Sequence, residues 1–357
     1  MNKRFAYIDA LRGLAVILMV QQHLLTWLWQ KKWLSYAMTF PEHPVMVCLN
    51  FAGNFAAPVF LLLSGMGSAL FLAREGNRGQ SLVKRGLFVL GCGYILNLLT
   101  PHWFVPWSWY VLHTMGLCLM IAPVLNRMKT VYLLILAVFV VISAALLQTM
   151  LGTPLLLNNS HMNNAGMTGG LLRLVFAEGH FPVFPWAAFF MAGIVSKRWI
   201  EKKTIVNLFM AAAGCITAGI TLMALYRHGY AFATYGTFFR IFAWLPYFYP
   251  ALPALTFMLL GIALFLLIFF YVLRDLLRGK IAGALTLTGR SSLTWFMVHI
   301  VLFNEALRMI GLHRTFSAGT TLMITGTFIF IMMYLSSLWG RIEFKYGFEW
   351  LMRRLIR

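Results

Sequence analysis

The sequence predicts an all-α polytopic membrane protein with about ten spanning helices and both termini in the cytoplasm. Three observations carry this expectation. Of 357 residues, 61% are hydrophobic and only 11% charged, which leaves too little charge for a surface that meets water on all sides. Apolar runs near the ~20 residues needed to cross a ~30 Å hydrocarbon layer recur from end to end. The basic residues concentrate in alternate loops, the positive-inside pattern of a chain that crosses repeatedly.

Spans are expected near 11–30, 45–73, 86–100, 110–126, 131–151, 183–196, 204–226, 253–273, 291–310 and 319–339. The first begins at Leu11 behind a short basic start and is followed by further spans, so it reads as a retained helix and not a cleaved signal. Inner-face loops hold Lys3, Arg4, Arg74, Arg78, Lys84, Arg85, Arg127, Lys129, Lys197, Arg198, Lys202 and Lys203, and the basic residues from Arg274 to Arg290 and from Arg341 onward. The outer loops hold only Lys31, Lys32, Arg173, Arg227, Arg240, Arg308 and Arg314. A net charge of +20 is thereby assigned to the bilayer surface and not to nucleic acid.

The outer stretches 31–44, 101–109, 152–182 and 227–252 are rich in Trp, Tyr, Phe, Pro, Asn and His. That mixture fits an aromatic belt at headgroup level and equally a sugar-contacting cleft. With no internal repeat and no low-complexity linker, residues 1–357 read as a single membrane domain. It ends in a basic amphipathic helix at about 340–357, Phe344, Phe348, Leu351, Met352 and Leu355 opposing Arg341, Lys345, Arg353, Arg354 and Arg357, suited to the anionic inner leaflet. Cys48, Cys92, Cys118 and Cys215 lie in apolar spans without metal-ligand spacing and read as small buried hydrophobes. No HExxH, P-loop or GxGxxG motif occurs, and no metal is expected.

Ionisable groups inside spans cost at least ~2.5 kcal/mol on insertion scales, so those present carry a functional hypothesis. In the first span Asp9 and Arg12 stand three residues apart and face each other. His23 follows Arg12 by eleven residues, about three turns, so the two share one helix face about 16 Å apart along the axis. A cation at the inner edge and an imidazole near mid-membrane suit a ligand whose anionic end enters from the cytosol. The same spacing fits a structural reading, with an Asp–Arg pair at the helix start and a histidine bonded to a carbonyl. The second span, Asn50 to Ser68, contains amides such as Asn54, an interior Pro58 that should kink the helix, and Gly65, Gly67 and Ser68, which should admit a neighbouring helix. Glu42-His43-Pro44, the one directly adjacent Glu–His pair in the chain, offers a second histidine base. His113, His180 and His299 are further candidates, and His299, with Glu305 and Arg308 beyond it, either packs in the core or lines an acceptor cavity.

Ile8-Asp9-Ala10-Leu11-Arg12-Gly13-Leu14, Ala57-Pro58-Val59-Phe60 with Ser64-Gly65, Lys84-Arg85-Gly86, Phe181 to Trp186 with Gly193, and Gly289 to His299 resemble bacterial membrane proteins related to the catalytic domain of heparan-α-glucosaminide N-acetyltransferase. Arg12, ten residues and His23 also resemble a pattern of the broader transmembrane acyltransferase superfamily. The resemblance implies acyl transfer, acetyl above all, from cytosolic acetyl-CoA to an acceptor beyond the membrane. It further implies residence in a bacterial cytoplasmic (inner) membrane and a glycan or amino-sugar acceptor. The superfamily pattern points to His23 as the base, and alignment on Pro58 points to His43, so both stand, with Asp9 beside them. Arg12, Arg74, Lys84 and Arg85 would hold CoA phosphates, and Asn54 and His299 would contact substrate, Asn54 at the oxyanion. The chain differs from the heparan enzyme in its short N-terminus and in lacking a close copy of that enzyme's histidine loop. A transporter or flippase is the alternative from another class, and a homodimer is left open.

Overall fold

The structure, a computed structural model, describes residues 6–31, 36–73, 78–245, 248–277 and 279–356. Its main helices are α1 (Ala6–Leu28), α2 (Pro44–Gly53), α3 (Ala56–Leu72), α4 (Gly79–Leu99), α5 (Val111–Leu125), α6 (Thr130–Met150), α7 (Val183–Glu201), α8 (Ile205–Arg227), α9 (Pro253–Val272), α10 (Lys280–Arg290), α11 (Ser292–Ile300), α12 (Ala318–Gly340) and α13 (Phe348–Leu355). Among the described residues, seven stretches are long and apolar enough to span a bilayer, with α2 and α3 together counted as one. An eighth is the pair Gly170–Glu178 and Val183–Glu201, bent by 50°. The chain is therefore an all-α polytopic membrane protein. The two remaining expected spans take other forms: α5 is a shorter apolar helix, and α11 runs on through a π-helical stretch, Val301–Ala306, to Leu307–Met309.

Pro58 acts upstream of its own position. Its ring nitrogen has no hydrogen for the carbonyl of Asn54, and the ring crowds that carbonyl. The chain accordingly breaks at Asn54 and Phe55, between α2 and α3.

One compact unit comprises residues 1–60, 99–103 and 269–357. Its axis is α1, whose Leu11, Val16, Val20, Leu24, Leu25 and Leu28 are fully buried. At Gly13 and Gly289 the backbones of α1 and α10 nearly touch: a Cβ on Gly13 would lie 2.0 Å from the Leu285 carbonyl oxygen, and one on Gly289 would lie 1.9 Å from that of Asp9. Only glycine permits this approach. Ser291 separates α10 from α11, and the Trp295 indole donates to Ser336 of α12 at 2.8 Å.

The C-terminal helix is shorter than the expected 340–357. Residues 341–346 form turns instead, with left-handed backbone at Glu343, Phe344 and Tyr346, because Phe344 is drawn into a buried position beneath Arg290, whose guanidinium lies 5.0 Å from the ring centre. From α13 the Glu349 carboxylate accepts the N–H groups of Leu293 (2.6 Å) and Thr294 (3.2 Å) and the Thr294 hydroxyl (2.6 Å). These are N–H groups at the start of α11 that lack intrahelical acceptors, and a negative charge suits the positive end of the helix. Burial pushes the Glu349 carboxyl above its ordinary range, and the same hydrogen bonds draw it back.

The other unit comprises residues 61–98 and 104–268. There α3 and α7 cross at paired glycines: a Cβ on Gly65 would lie 1.9 Å from the Phe190 carbonyl oxygen, and one on Gly193 would lie 1.9 Å from that of Leu62. Gly67, expected to share this role, faces open space. Leu133, Ala137 and Val141 of α6 pack with Ala188, Phe190 and Ile194 of α7. The loop before α7 is organised by Glu178, which is fully buried. It takes Arg173 through two nitrogens at 2.5 and 2.7 Å, His161 at 3.1 Å and the Thr153 hydroxyl. Arg240 donates to the Thr153 carbonyl. A carboxylate buried this deeply is retained only when its lone pairs are occupied.

The glycine crossings yield a stability prediction. Gly65→Ala and Gly289→Ala should each lower the melting temperature of the detergent-solubilised protein, since forced overpacking costs about 1–3 kcal/mol. Gly67→Ala should leave it unchanged or raise it slightly, through helix propensity worth about 0.5–1 kcal/mol. Equal effects at all three positions would contradict the crossing geometry.

Candidate active site

The candidate site lies along α1, which enters the structure as an apolar helix with a polar stripe. Near its start Arg12 donates to Asp9 at 3.0 Å across one turn, as their spacing predicts. Asp9 is buried and Arg12 partly exposed. Eleven residues on, the His23 Nδ1 lies 2.9 Å from Nε2 of His299 on α11, and the two rings are parallel to within 10°.

Hydrogen-bond chemistry assigns the tautomers of this pair. The other nitrogen of His299, Nδ1, lies 2.8 Å from the Trp295 carbonyl oxygen, which can only accept, so Nδ1 carries the hydrogen. Nε2 of neutral His299 is then an acceptor, and His23 must donate to it from Nδ1. This leaves the His23 Nε2 with a free lone pair. The orientation is fixed further by aromatic rings: Trp27 stacks on His23 at 4.7 Å, and Trp103 meets His23 edge-on at 5.5 Å and Trp27 at 5.0 Å.

Beside His23, one position earlier on the helix, the Gln22 amide donates to the Asn50 carbonyl (3.2 Å) and the Asn54 side-chain oxygen (2.8 Å). The Asn54 amide donates in turn to the Tyr36 hydroxyl at 3.2 Å, and Tyr36 donates to the Asn50 side-chain oxygen at 2.9 Å. Asn54 is thus held in a chain of amides that ties α1 to α2, with its oxygen occupied by Gln22.

On the far side of His299 the π-helical stretch widens the helix and turns Asn304 and Glu305 inward, where both are buried. Such interruptions recur where a helix must redirect side chains. One Glu305 oxygen contacts His102 Nδ1, while the other is buried without a hydrogen-bond partner among the described residues.

The remaining expected residues are distributed as follows. His43 occupies the position before the first turn of α2 without a side-chain capping bond, lies 3.8 Å from Glu42 and meets Trp29 edge-on at 5.2 Å. Glu42 is held below the usual carboxylate range, chiefly by the Lys31 ammonium at 3.0 Å. These contacts, and not the His23 pair, are the ones described for His43. In the other unit Arg85 and Arg78 both lie over the Phe71 ring, at 4.0 and 5.2 Å, with Lys84 next in sequence. Arg74 lies outside the described residues. His113 is packed among Tyr94, Trp109 and Tyr110, and His180 bonds to the Asn159 side-chain oxygen at 2.7 Å.

Residues that the spacing argument does not single out include Gln22, Trp27, Asn50, His102 and Trp103. His23 and His299 lie 276 positions apart, and no local pattern joins them. The signal available for Gln22 was its place next to a candidate histidine inside an apolar span.

Residues 4–206 match the family model described as heparan-alpha-glucosaminide N-acetyltransferase, catalytic. The matched segment contains Arg12, His23, His43, Asn54, Lys84 and Arg85 and stops before His299. None of the curated proteins matches the chain.

The tautomer assignment can be checked directly. Nitrogen NMR of histidine-labelled protein should show His23 as the Nδ1–H form at neutral pH, and His299→Ala should convert it to a mixture of tautomers. A dominant Nε2–H form in the unmodified protein would refute the assignment.

Proposed function

Because this chain belongs to the heparan-alpha-glucosaminide N-acetyltransferase catalytic family and is an integral-membrane acetyltransferase, we propose that it moves an acetyl group from cytosolic acetyl-CoA to an extracytoplasmic amine or hydroxyl. The observation that carries this reading is the His299-to-His23 relay, which leaves the His23 Nε2 unprotonated and ready to accept a proton. As the acceptor attacks the thioester carbonyl, its proton passes to Nε2, the C–S bond breaks, and coenzyme A leaves as a thiolate that takes the proton back from Nε2, while the Trp295 carbonyl accepts the last N–H of the relay behind His23. General-base assistance of this kind is worth about 10²–10⁴ in rate. Direct attack needs no covalent enzyme intermediate.

The orientation follows from charge: the start of α1, with Arg12, faces the cytosol, as do 197–203 and the C-terminal segment, while 152–182 and 227–252 face outward. In a bacterium this corresponds to the cytoplasmic membrane. Arg12 is the candidate cation for CoA phosphates in its own unit, because arginine binds phosphate bidentately, and Lys84 with Arg85 is a separate candidate pair in the other unit. An amino-sugar or glycan is the proposed acceptor, and heparan itself need not be the substrate.

The test is transfer by purified protein in detergent. His23→Ala should lower turnover at least 100-fold with acetyl-CoA affinity retained, and Arg12→Ala should weaken acetyl-CoA binding in protein that still melts normally. His43→Ala should have a small effect. Full turnover by His23→Ala, with loss in His43→Ala, would move the base to His43.

A further inference from the structure

The basic residues that the sequence assigns to the outer loops are not alike. Lys31 is paired with Glu42 and Arg173 with Glu178, and Arg240 is engaged by the Thr153 carbonyl. Arg308 and Arg314 have no carboxylate within ion-pair distance among the described residues. In each, Nε is buried and lacks a hydrogen-bond partner there. Glu305, three residues before Arg308, is turned to His102 instead. A guanidinium set at the edge of a membrane domain without a counter-charge is costly and marks a ligand path.

His313 lies with these two arginines in a specific state. Its Nε2 accepts from Arg308 Nη2 at 2.9 Å, so the ring is neutral and its Nδ1–H is a donor. Burial, with the charges of Arg308 and Arg314, holds the His313 ring down to about 4, so it stays neutral at physiological pH. A second Arg308 contact, to the Asn304 side-chain oxygen at 3.3 Å, orients that guanidinium. The cluster therefore offers two cations and a ring N–H, and no anion.

The cluster is fastened beside the candidate base. Arg314 donates its backbone N–H to the Trp27 carbonyl at 2.8 Å, Phe316 donates to Leu28 and Gln30 donates to Phe316, both at 3.0 Å. Arg314 takes a left-handed backbone, with φ of 59°, to make this turn. Trp27 is the residue stacked on His23, one helical turn or about 6 Å of rise away.

We propose that Arg308, His313 and Arg314 form a binding site for an oxyanion, phosphate, sulfate or carboxylate, carried by the acyl acceptor. The word acceptor rests on the acetyltransferase reading; the anion site itself does not. The group would sit about one turn beyond His23 along α1, so the acceptor is anionic near the atom that receives the acyl group. Guanidinium pairs favour oxyanions because their N–H groups match two oxygens at once.

Binding to purified protein, read by tryptophan fluorescence and calorimetry, tests this without requiring turnover. The probes are inorganic phosphate, sulfate, glucose 6-phosphate and glucose. Glucose 6-phosphate should bind at least about 10-fold more tightly than glucose, the equivalent of one charge-assisted hydrogen bond. Arg308→Gln with Arg314→Gln should abolish that difference, Arg308→Lys with Arg314→Lys should keep part of it, and acetyl-CoA affinity should change less than about 2-fold. Equal binding of charged and neutral probes to folded protein would overturn the site. A 10-fold fall in acetyl-CoA affinity in the double glutamine variant would assign the cluster to the donor's phosphates and overturn the proposal. The assay is repeated in lipid discs of phosphatidylcholine with and without phosphatidylglycerol. Loss of sugar phosphate binding only with phosphatidylglycerol would make a lipid headgroup the occupant and refute the acceptor assignment. Absence of acetyl transfer together with intact, arginine-dependent oxyanion binding would sink the enzymatic reading and leave the anion site standing.

Discussion

A bilayer interior supplies no hydrogen-bond partners, so every polar group placed there must find one within the protein. That constraint organises the unit around α1. Asp9 is answered by Arg12, Gln22 by Asn54, His23 by His299, His299 by the Trp295 carbonyl, and the open start of α11 by Glu349. The His23–His299 bond depends on the others, because α11 must be brought alongside α1 and held at both ends. Gly13 and Gly289 bring the preceding helix into backbone contact, and Glu349 fixes the helix start from which His299 projects. The tautomer of His23 is thereby set by packing several turns away.

The same constraint separates structural charges from available ones. In the second unit Glu178 gathers Arg173, Thr153 and His161 and is left with no exposed oxygen, which is the signature of a loop clamp. At the far end of α1 the guanidiniums of Arg308 and Arg314 act on a neutral histidine with no carboxylate on them among the described residues. Satisfied and unsatisfied charges of one type have different meanings, and only their partners distinguish them. The C-terminal segment shows this too: read as an amphipathic surface helix, it would be an anchor alone, whereas Glu349 reaches inward and participates in holding the helix that bears His299.

Much of the architecture was legible in the sequence because hydrophobicity and length decide membrane insertion locally. The apolar runs located most of the long helices to within a few residues, with α4 beginning seven residues before the expected 86, loop charge proposed an orientation, and the three-residue spacing of Asp9 and Arg12 was enough to pair them. Pro58 marked a helix break, since the missing N–H and the ring clash are properties of the residue itself. Gly65 was readable as a close contact by composition, although Gly67, of the same composition, faces open space.

What only the tertiary structure decided is which distant polar groups meet. His23 and His299, or His102 and Glu305, are joined by the packing of helices whose order in space no local pattern encodes, and the π-helical stretch that turns Glu305 inward has no signature of its own. The sequence by itself determined that this chain is an integral membrane protein, which stretches are long and apolar enough to cross, and which ionisable residues lie within them. The fold determined their partners, and with them which nitrogen of His23 holds the lone pair, because a hydrogen bond is a property of two groups in space and not of either residue alone.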